Sequence, residues 1–198
     1  MADIAKLEKN LKSRGFEYLY FEEASKAAEY LINELSGKSV GIGGSRTVEA
    51  LGIYEALQGE SDLAWHWKQE PNEARAKAAI AEVYICSANG IAETGEIVNI
   101  DGNGNRLAST LYGHKEVIIV SGVNKIMPDL ESAIFRARNV AAPLNARRFN
   151  LDTPCVTGEL KCYDCRSEKR ICRGMTIQMQ PCSGQRVRVI IIGEELGY

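Results

Sequence analysis

The sequence predicts an α/β protein with a mainly parallel sheet and helices on both faces. Three observations carry this. Short β-branched runs alternate with segments of helical periodicity along most of the chain, the pattern of repeated strand–helix units. Two runs, EVIIV at 116–120 and RVRVIII at 186–192, are apolar enough to be strands covered on both faces. Several predicted strands also end in glycine-containing loops that lead into helices, as parallel connections require. The 198 residues suit one core and crowd two, so a single domain over 1–198 is expected, with 151–174 a cysteine-rich insertion before the last strands.

Taken in order, Ile4, Leu7 and Leu11 share one helical face, and Gly15 stops that helix before the strand-like Phe16–Phe21. Ala24 to Leu35 repeats the helical pattern. Ser39–Ile42 reads as a strand broken by Gly43 and Gly44, and Ser45–Thr47 opens a helix reaching about Leu57. Leu63–Trp67 follows as a strand. Its His66 lies between two tryptophans, which suits a structural residue better than a site histidine. An alanine-rich helix over 72–81 precedes the strand Val83–Cys86 and the loop Ser87–Gly90. Asp101-Gly102-Asn103-Gly104-Asn105 is a strong turn signal, which predicts a β-hairpin from Glu96 to about Ser109. After the strand at 116–120 come the loop Ser121–Lys125 and a helix from Asp129 to Val140, with strands at 176–179 and 186–192 closing the sheet.

The turn Gly43-Gly44-Ser45-Arg46-Thr47 is the first candidate site. A strand feeding a helix through glycines leaves backbone N–H groups free for an anion, and Ser45, Arg46 and Thr47 add hydroxyls and a charge. The same residues also read as an ordinary connection capped by Ser45 or Thr47. The spacing is neither GxxxxGK[ST] nor GxGxxG, so no nucleotide fold follows. Asn89, Asn124 and Lys125 occupy equivalent strand-end positions, where open α/β sheets bind ligands, and Glu93 trails one of them as a candidate base or nucleophile. The alternatives are helix capping, a surface lysine and a solvated loop carboxylate.

Composition narrows the partners. The chain is 45% hydrophobic and 25% charged with a formal net charge of -2, so it has no basic surplus for nucleic acid. No run has transmembrane length and MADIAKLEKN lacks a hydrophobic signal region, which predicts a cytoplasmic protein. The expected partner is a small anionic metabolite; the oligomeric state, a homo-oligomer included, is open.

Of six cysteines, five fall between Cys155 and Cys182. Cys155, Cys162, Cys165 and Cys172 are separated by six, two and six residues, a CxxC flanked by one thiol on each side. In a segment poor in apolar residues, four thiolates would supply a staple by holding Zn²⁺ or an iron–sulfur cluster, with nearby Lys and Arg offsetting their charge. Reduced thiols in a loop are the alternative.

The stretches VGIGGSRTVEALG, SANGIAETGEIVNIDGNGNRLA, GHKEVIIVSGVNKI and RNVAAPLNARR together resemble the LUD domain of lactate utilisation proteins B and C, over roughly residues 10–148. The resemblance implies a fold similar to the ribose-5-phosphate isomerase, glucosamine-6-phosphate deaminase and CoA-transferase group. It would place phosphate on Gly43, Gly44, Ser45 and Thr47, and gives Glu93 the position of a catalytic carboxylate. It further implies work beside redox proteins in oxidising lactate to pyruvate, which favours [4Fe–4S] over zinc. The cysteine segment matches neither the usual protein C tail nor the CxxCxxCxxxCP pattern of protein B. The leading expectation is therefore an anion-binding redox accessory protein for lactate or another small organic acid. An autonomous transferase or isomerase acting on a CoA ester or sugar phosphate is the second, and a regulatory binding module the third.

Overall fold

A computed structural model describes residues 2–198. Helix α1 (Ile4–Ser13) starts at Asp3, whose carboxylate accepts from Lys6 N, and leads through Gly15 at φ 86° to β1 (Glu17–Phe21). Helix α2 (Ala24–Leu35) buries Ala27, Leu31 and Leu35, the i, i+4, i+8 stripe of its sequence. Then come β2 (Ser39–Ile42), the short helices α3 (Arg46–Ala50) and α4 (Ile53–Ala56), and β3 (Asp62–Trp65). The expected single helix is split because Gly52 takes φ 64°, a left-handed conformation that ends a helix. The middle of the chain holds α5 (Pro71–Ala78), β4 (Val83–Cys86), β5 (Gly90–Ala92), β6 (Ile97–Asp101), α6 (Asn105–Leu111), β7 (Glu116–Gly122), a 3₁₀ turn at Val123–Lys125 and β8 (Ile126–Met127). Helices α7 (Leu130–Arg136) and α8 (Ala142–Arg148) flank a π turn, Ala137–Ala141; α9 (Pro154–Thr157), β9 (Gly174–Gln178) and β10 (Arg186–Ile192) complete the chain. The π turn has a local cause. Pro143 has no N–H for the helical ladder, and the ladder shifts one residue, with Ala142 N donating to Ala137 O.

The main sheet has the order β1-β10-β7-β4-β2-β3, every pair parallel. Period-2 alternation divides its side chains between two cores. Ile118, Val120, Ile190 and Ile192 pack with α2 and α4 on one face, while Val117, Ile119, Val189 and Ile191 pack with Leu7 and Leu11 of α1 on the other. Each buried aliphatic side chain contributes roughly 1.5–3 kcal/mol. The parallel α/β sheet with helices on both faces thus matches the expectation.

A second sheet, β8-β5-β6-β9, was not foreseen. It places Ile91 and Ile97 in the second core. It also replaces the expected hairpin: β6 pairs antiparallel with β5 and β9, and the residues after the turn form α6. Asp101 explains this outcome. Its carboxylate accepts from Gly102 N at 2.7 Å and Arg106 N at 2.9 Å, so the DGNGN segment caps a helix where a hairpin would have turned back. Among the described residues no helix is long and apolar enough to cross a membrane.

Candidate functional site

Neighbouring strands β7, β4 and β2 end on the same edge of the parallel sheet, so the loops at 43–45, 87–89 and 122–125 lie side by side. This is the edge at which open parallel sheets place ligands. The first loop begins with packing. Gly43 N donates to Ile85 O at 2.9 Å, and a Cβ there would lie 2.9 Å from Cys86 Cβ, so glycine is required by the neighbouring strand. Gly44 faces the cleft, and its missing Cβ leaves room for the Trp67 indole at 3.0 Å. Ser45 is the N-cap of α3, its Oγ accepting from Val48 N at 3.1 Å. Because α3 has five residues, its dipole is small, and the charge in the cleft comes from side chains. Exposed Arg46 pairs with Glu49. Thr47 turns inward, fully buried, and donates to Leu196 O at 3.1 Å.

Lys125 is the centre of the arrangement. Only 2% exposed, it donates from Nζ to Thr47 Oγ1 at 2.7 Å and to Ser87 Oγ at 3.0 Å. Burial, reinforced by the nearby Arg136 and Arg106 charges, lowers its pKa from 10.5 to about 7. Both arginines are held by neutral groups. Arg106 donates through Nη1 to Ser87 O at 2.8 Å and Asn99 Oδ1 at 2.5 Å, and through Nη2 to Asn89 Oδ1 at 2.9 Å and Ile100 O at 2.6 Å. Arg136, also buried, donates to Asn124 O at 3.1 Å and Asn89 O at 2.5 Å. Among the described residues none of these three cations forms an ion pair, so the site gathers positive charge that its own carboxylates leave uncompensated. An anion placed there would supply the missing charge.

The cleft has a volume of about 60 Å³ and is lined by Gly44, Ser45, Ser87, Asn89, Arg106 and Lys125, among others. Beside it a wider basin of about 500 Å³ carries Arg75, Arg148, Arg170 and Arg173. Arg148 lies 4.5 Å from the Trp67 ring, a cation–π contact that fixes one wall. Asp101, the basin's carboxylate, is occupied by backbone N–H groups.

Of the residues singled out from sequence, Gly44, Ser45, Arg46, Asn89 and Lys125 line this cleft. Gly43 and Thr47 stand behind it. Asn124 points elsewhere and clasps the C-terminal residues, accepting from Leu196 N at 3.2 Å and donating to Gly197 O at 3.3 Å. Glu93 is not part of the cleft lining. One carboxylate oxygen accepts from Asp3 N at 2.8 Å and the other from Lys6 Nζ at 3.1 Å, while its carbonyl accepts from Asn10 Nδ2 at 2.7 Å. This geometry ties α1 to the second sheet. Arg106, Arg136 and Ser87 are the residues sequence reasoning missed. Cys155, Cys162, Cys165 and Cys172 are free thiols lining a separate cavity.

With the geometry in hand, comparison with known proteins is informative. The LUD domain family matches residues 4–192, nearly the whole chain. The fold is similar to the crystal structure of a DUF162 family protein from Deinococcus radiodurans, with a TM-score of 0.58 and 16% identity over 96% of each chain, a likeness of fold alone. No curated protein matches.

Proposed function

As the chain belongs to the LUD domain family, associated with lactate utilisation, we propose that it binds a small organic or phosphorylated anion in the Lys125–Arg106 cleft as an accessory protein in the oxidation of lactate or a related acid. The observation that carries this reading is Lys125: a buried ammonium held by two hydroxyls, beside two arginines and without a carboxylate partner. Such a group is costly to bury and is stabilised when an anion arrives. Ser45 and the Gly44 backbone border the same space, which supports the glycine turn as one wall of the anion seat. The arginine-lined basin would draw the ligand in.

The test is calorimetric titration of lactate, pyruvate, phosphate and CoA into native protein, Lys125→Met and Gly44→Val. Gly44→Val should block the cleft by displacing Trp67. If native protein binds none of the four, the reading fails.

A transferase or isomerase acting alone on a CoA ester or sugar phosphate is the second reading. One observation favours it: an amine with a pKa of about 7 is suited to general-base work, so Lys125 would take the role expected of Glu93. Turnover by the isolated protein, lost in Lys125→Met and retained in Glu93→Gln, distinguishes this from an accessory role.

A further inference from the structure

The cysteine-rich stretch between α8 and β9 reaches the anion cleft only through Ile171, and it is built around sulfur. Cys155, Cys162, Cys165 and Cys172 line one small cavity whose wall includes Ala142, Pro143 and Ala146 of α8. The turn Cys162–Cys165 places Asp164 at φ 47°, a left-handed conformation that a non-glycine residue adopts at a cost. In this conformation Asp164 N donates to Cys162 Sγ at 3.4 Å. Two further donors follow suit, Arg138 Nη2 at 3.7 Å from the same sulfur and Arg170 Nη2 at 3.5 Å from Cys172 Sγ, and Thr153 Oγ1 lies 3.3 Å from Cys155 Sγ, where either atom can donate. Donors directed at sulfur are strongly rewarded when the sulfur is an anion and weakly when it is a thiol. The segment between α9 and β9 has no helix or strand to hold it.

We infer that Cys155, Cys162, Cys165 and Cys172 are thiolate ligands of an iron–sulfur cluster, of the [4Fe–4S] type, that staples this segment to α8. Four ligands complete such a cluster, one per iron. A single zinc ion would draw its thiolates to about 3.8 Å from one another, at ~2.3 Å from the metal. A cluster is itself several atoms across and takes its thiolates from around a cavity, and all four cysteines line this one. The remaining cysteines are excluded by position: Cys86 is fully buried in β4 and Cys182 is exposed beyond β9. Ala142 and Ile171 line both this cavity and the anion cleft, so one layer of side chains separates the cluster from the anion seat.

The inference is independent of the anion reading and is tested separately. The whole protein is purified without oxygen from iron-supplemented cells, or reconstituted with ferrous iron and sulfide. Iron, acid-labile sulfide, zinc and visible absorption are then measured. The expected result is about four iron and four sulfide per chain, with a brown colour that bleaches on reduction. Cys165→Ser and Cys172→Ser should lose the colour while keeping native circular dichroism and any anion binding, and Cys182→Ser should keep it. Stoichiometric zinc without iron would overturn the inference, as would a reconstituted protein free of metal whose four thiols alkylate readily in the native state. Loss of colour in Cys182→Ser equal to that in Cys165→Ser would overturn the ligand set.

Discussion

Replacing Lys125 by methionine separates the cost of burying its charge from the use made of it. Below pH 7 the ammonium is protonated in folded and unfolded chain alike. The fall of its pKa from 10.5 to about 7 then represents a burial cost of about 5 kcal/mol, at ~1.4 kcal/mol per pKa unit. Between pH 7 and 10.5 the unfolded chain holds a proton that the folded chain has released, so native stability rises by about 1.4 kcal/mol per pH unit on this account. Methionine keeps an unbranched stem and removes the charge. Thr47 and Ser87 already stand 3.3 Å apart and remain bonded to each other. The groups that face Lys125, Arg136, Arg106 and Cys86, are common to both proteins and cancel in the comparison. Urea unfolding in a buffer free of small anions, followed by fluorescence of Trp65 and Trp67, should therefore find Lys125→Met more stable by a few kcal/mol at pH 6. That advantage should shrink by about 3 kcal/mol by pH 9. Phosphate at pH 6 should protect the native protein at concentrations that protect the variant far less. Parallel stability curves from pH 6 to 9 would show that Lys125 titrates alike in folded and unfolded chains, and would refute the reasoning.

Three further outcomes follow from the same contacts. Glu93→Gln should cost about 1–3 kcal/mol, the loss of charged hydrogen bonds to Asp3 and Lys6; hydrogen exchange should show α1 opening sooner while anion binding is unchanged. Arg188→Ala should cost about 3–5 kcal/mol in thermal unfolding, because the buried Arg188 is shared by Glu17, Glu34 and Glu116. Hydrogen bonds from Arg186 and Arg188 hold the carboxyls of Glu17 and Glu34 below 4.5, so the stability they add is present above that pH and is lost as pH falls through their folded values; an acid titration of native protein and Arg188→Ala should show its full difference above pH 4.5 and converge as the pH falls through those lowered values.

The parallel sheet was legible because its strands write their burial into composition: EVIIV and RVRVIII alternate between two apolar cores and admit few other placements. Lys125, Asn89 and Ser45 were legible for a related reason, since strand ends share one sheet edge whatever the strand order. Arg106 and Arg136 were not. The DGNGN segment satisfies a hairpin turn and a capped helix equally well in sequence, and only the bonds from Asp101 select the helix that carries Arg106 inward. The Leu107, Thr110 and Leu111 spacing after that turn was the available signal. Arg136 sits on the buried side of α7 beside Ala133, a place where composition predicts an apolar residue in preference to an arginine. Glu93 lies outside the cleft for a reason composition does not carry: a carboxylate following a strand end looks alike whether it faces a ligand or, as here, Asp3 N and Lys6 Nζ.

The central claim, an anion seat at Lys125, is tested most directly by titrating phosphate and pyruvate calorimetrically into native protein and Lys125→Met at pH 6 and pH 9. One site per chain is predicted in the native protein at pH 6. Affinity should weaken about 10- to 100-fold in Lys125→Met, the ~1.5–3 kcal/mol of a hydrogen bond to a charged group, and should fall in the native protein as pH rises above 7. Equal affinity in both proteins at both pH values would contradict it, because the anion would then be bound without the buried ammonium.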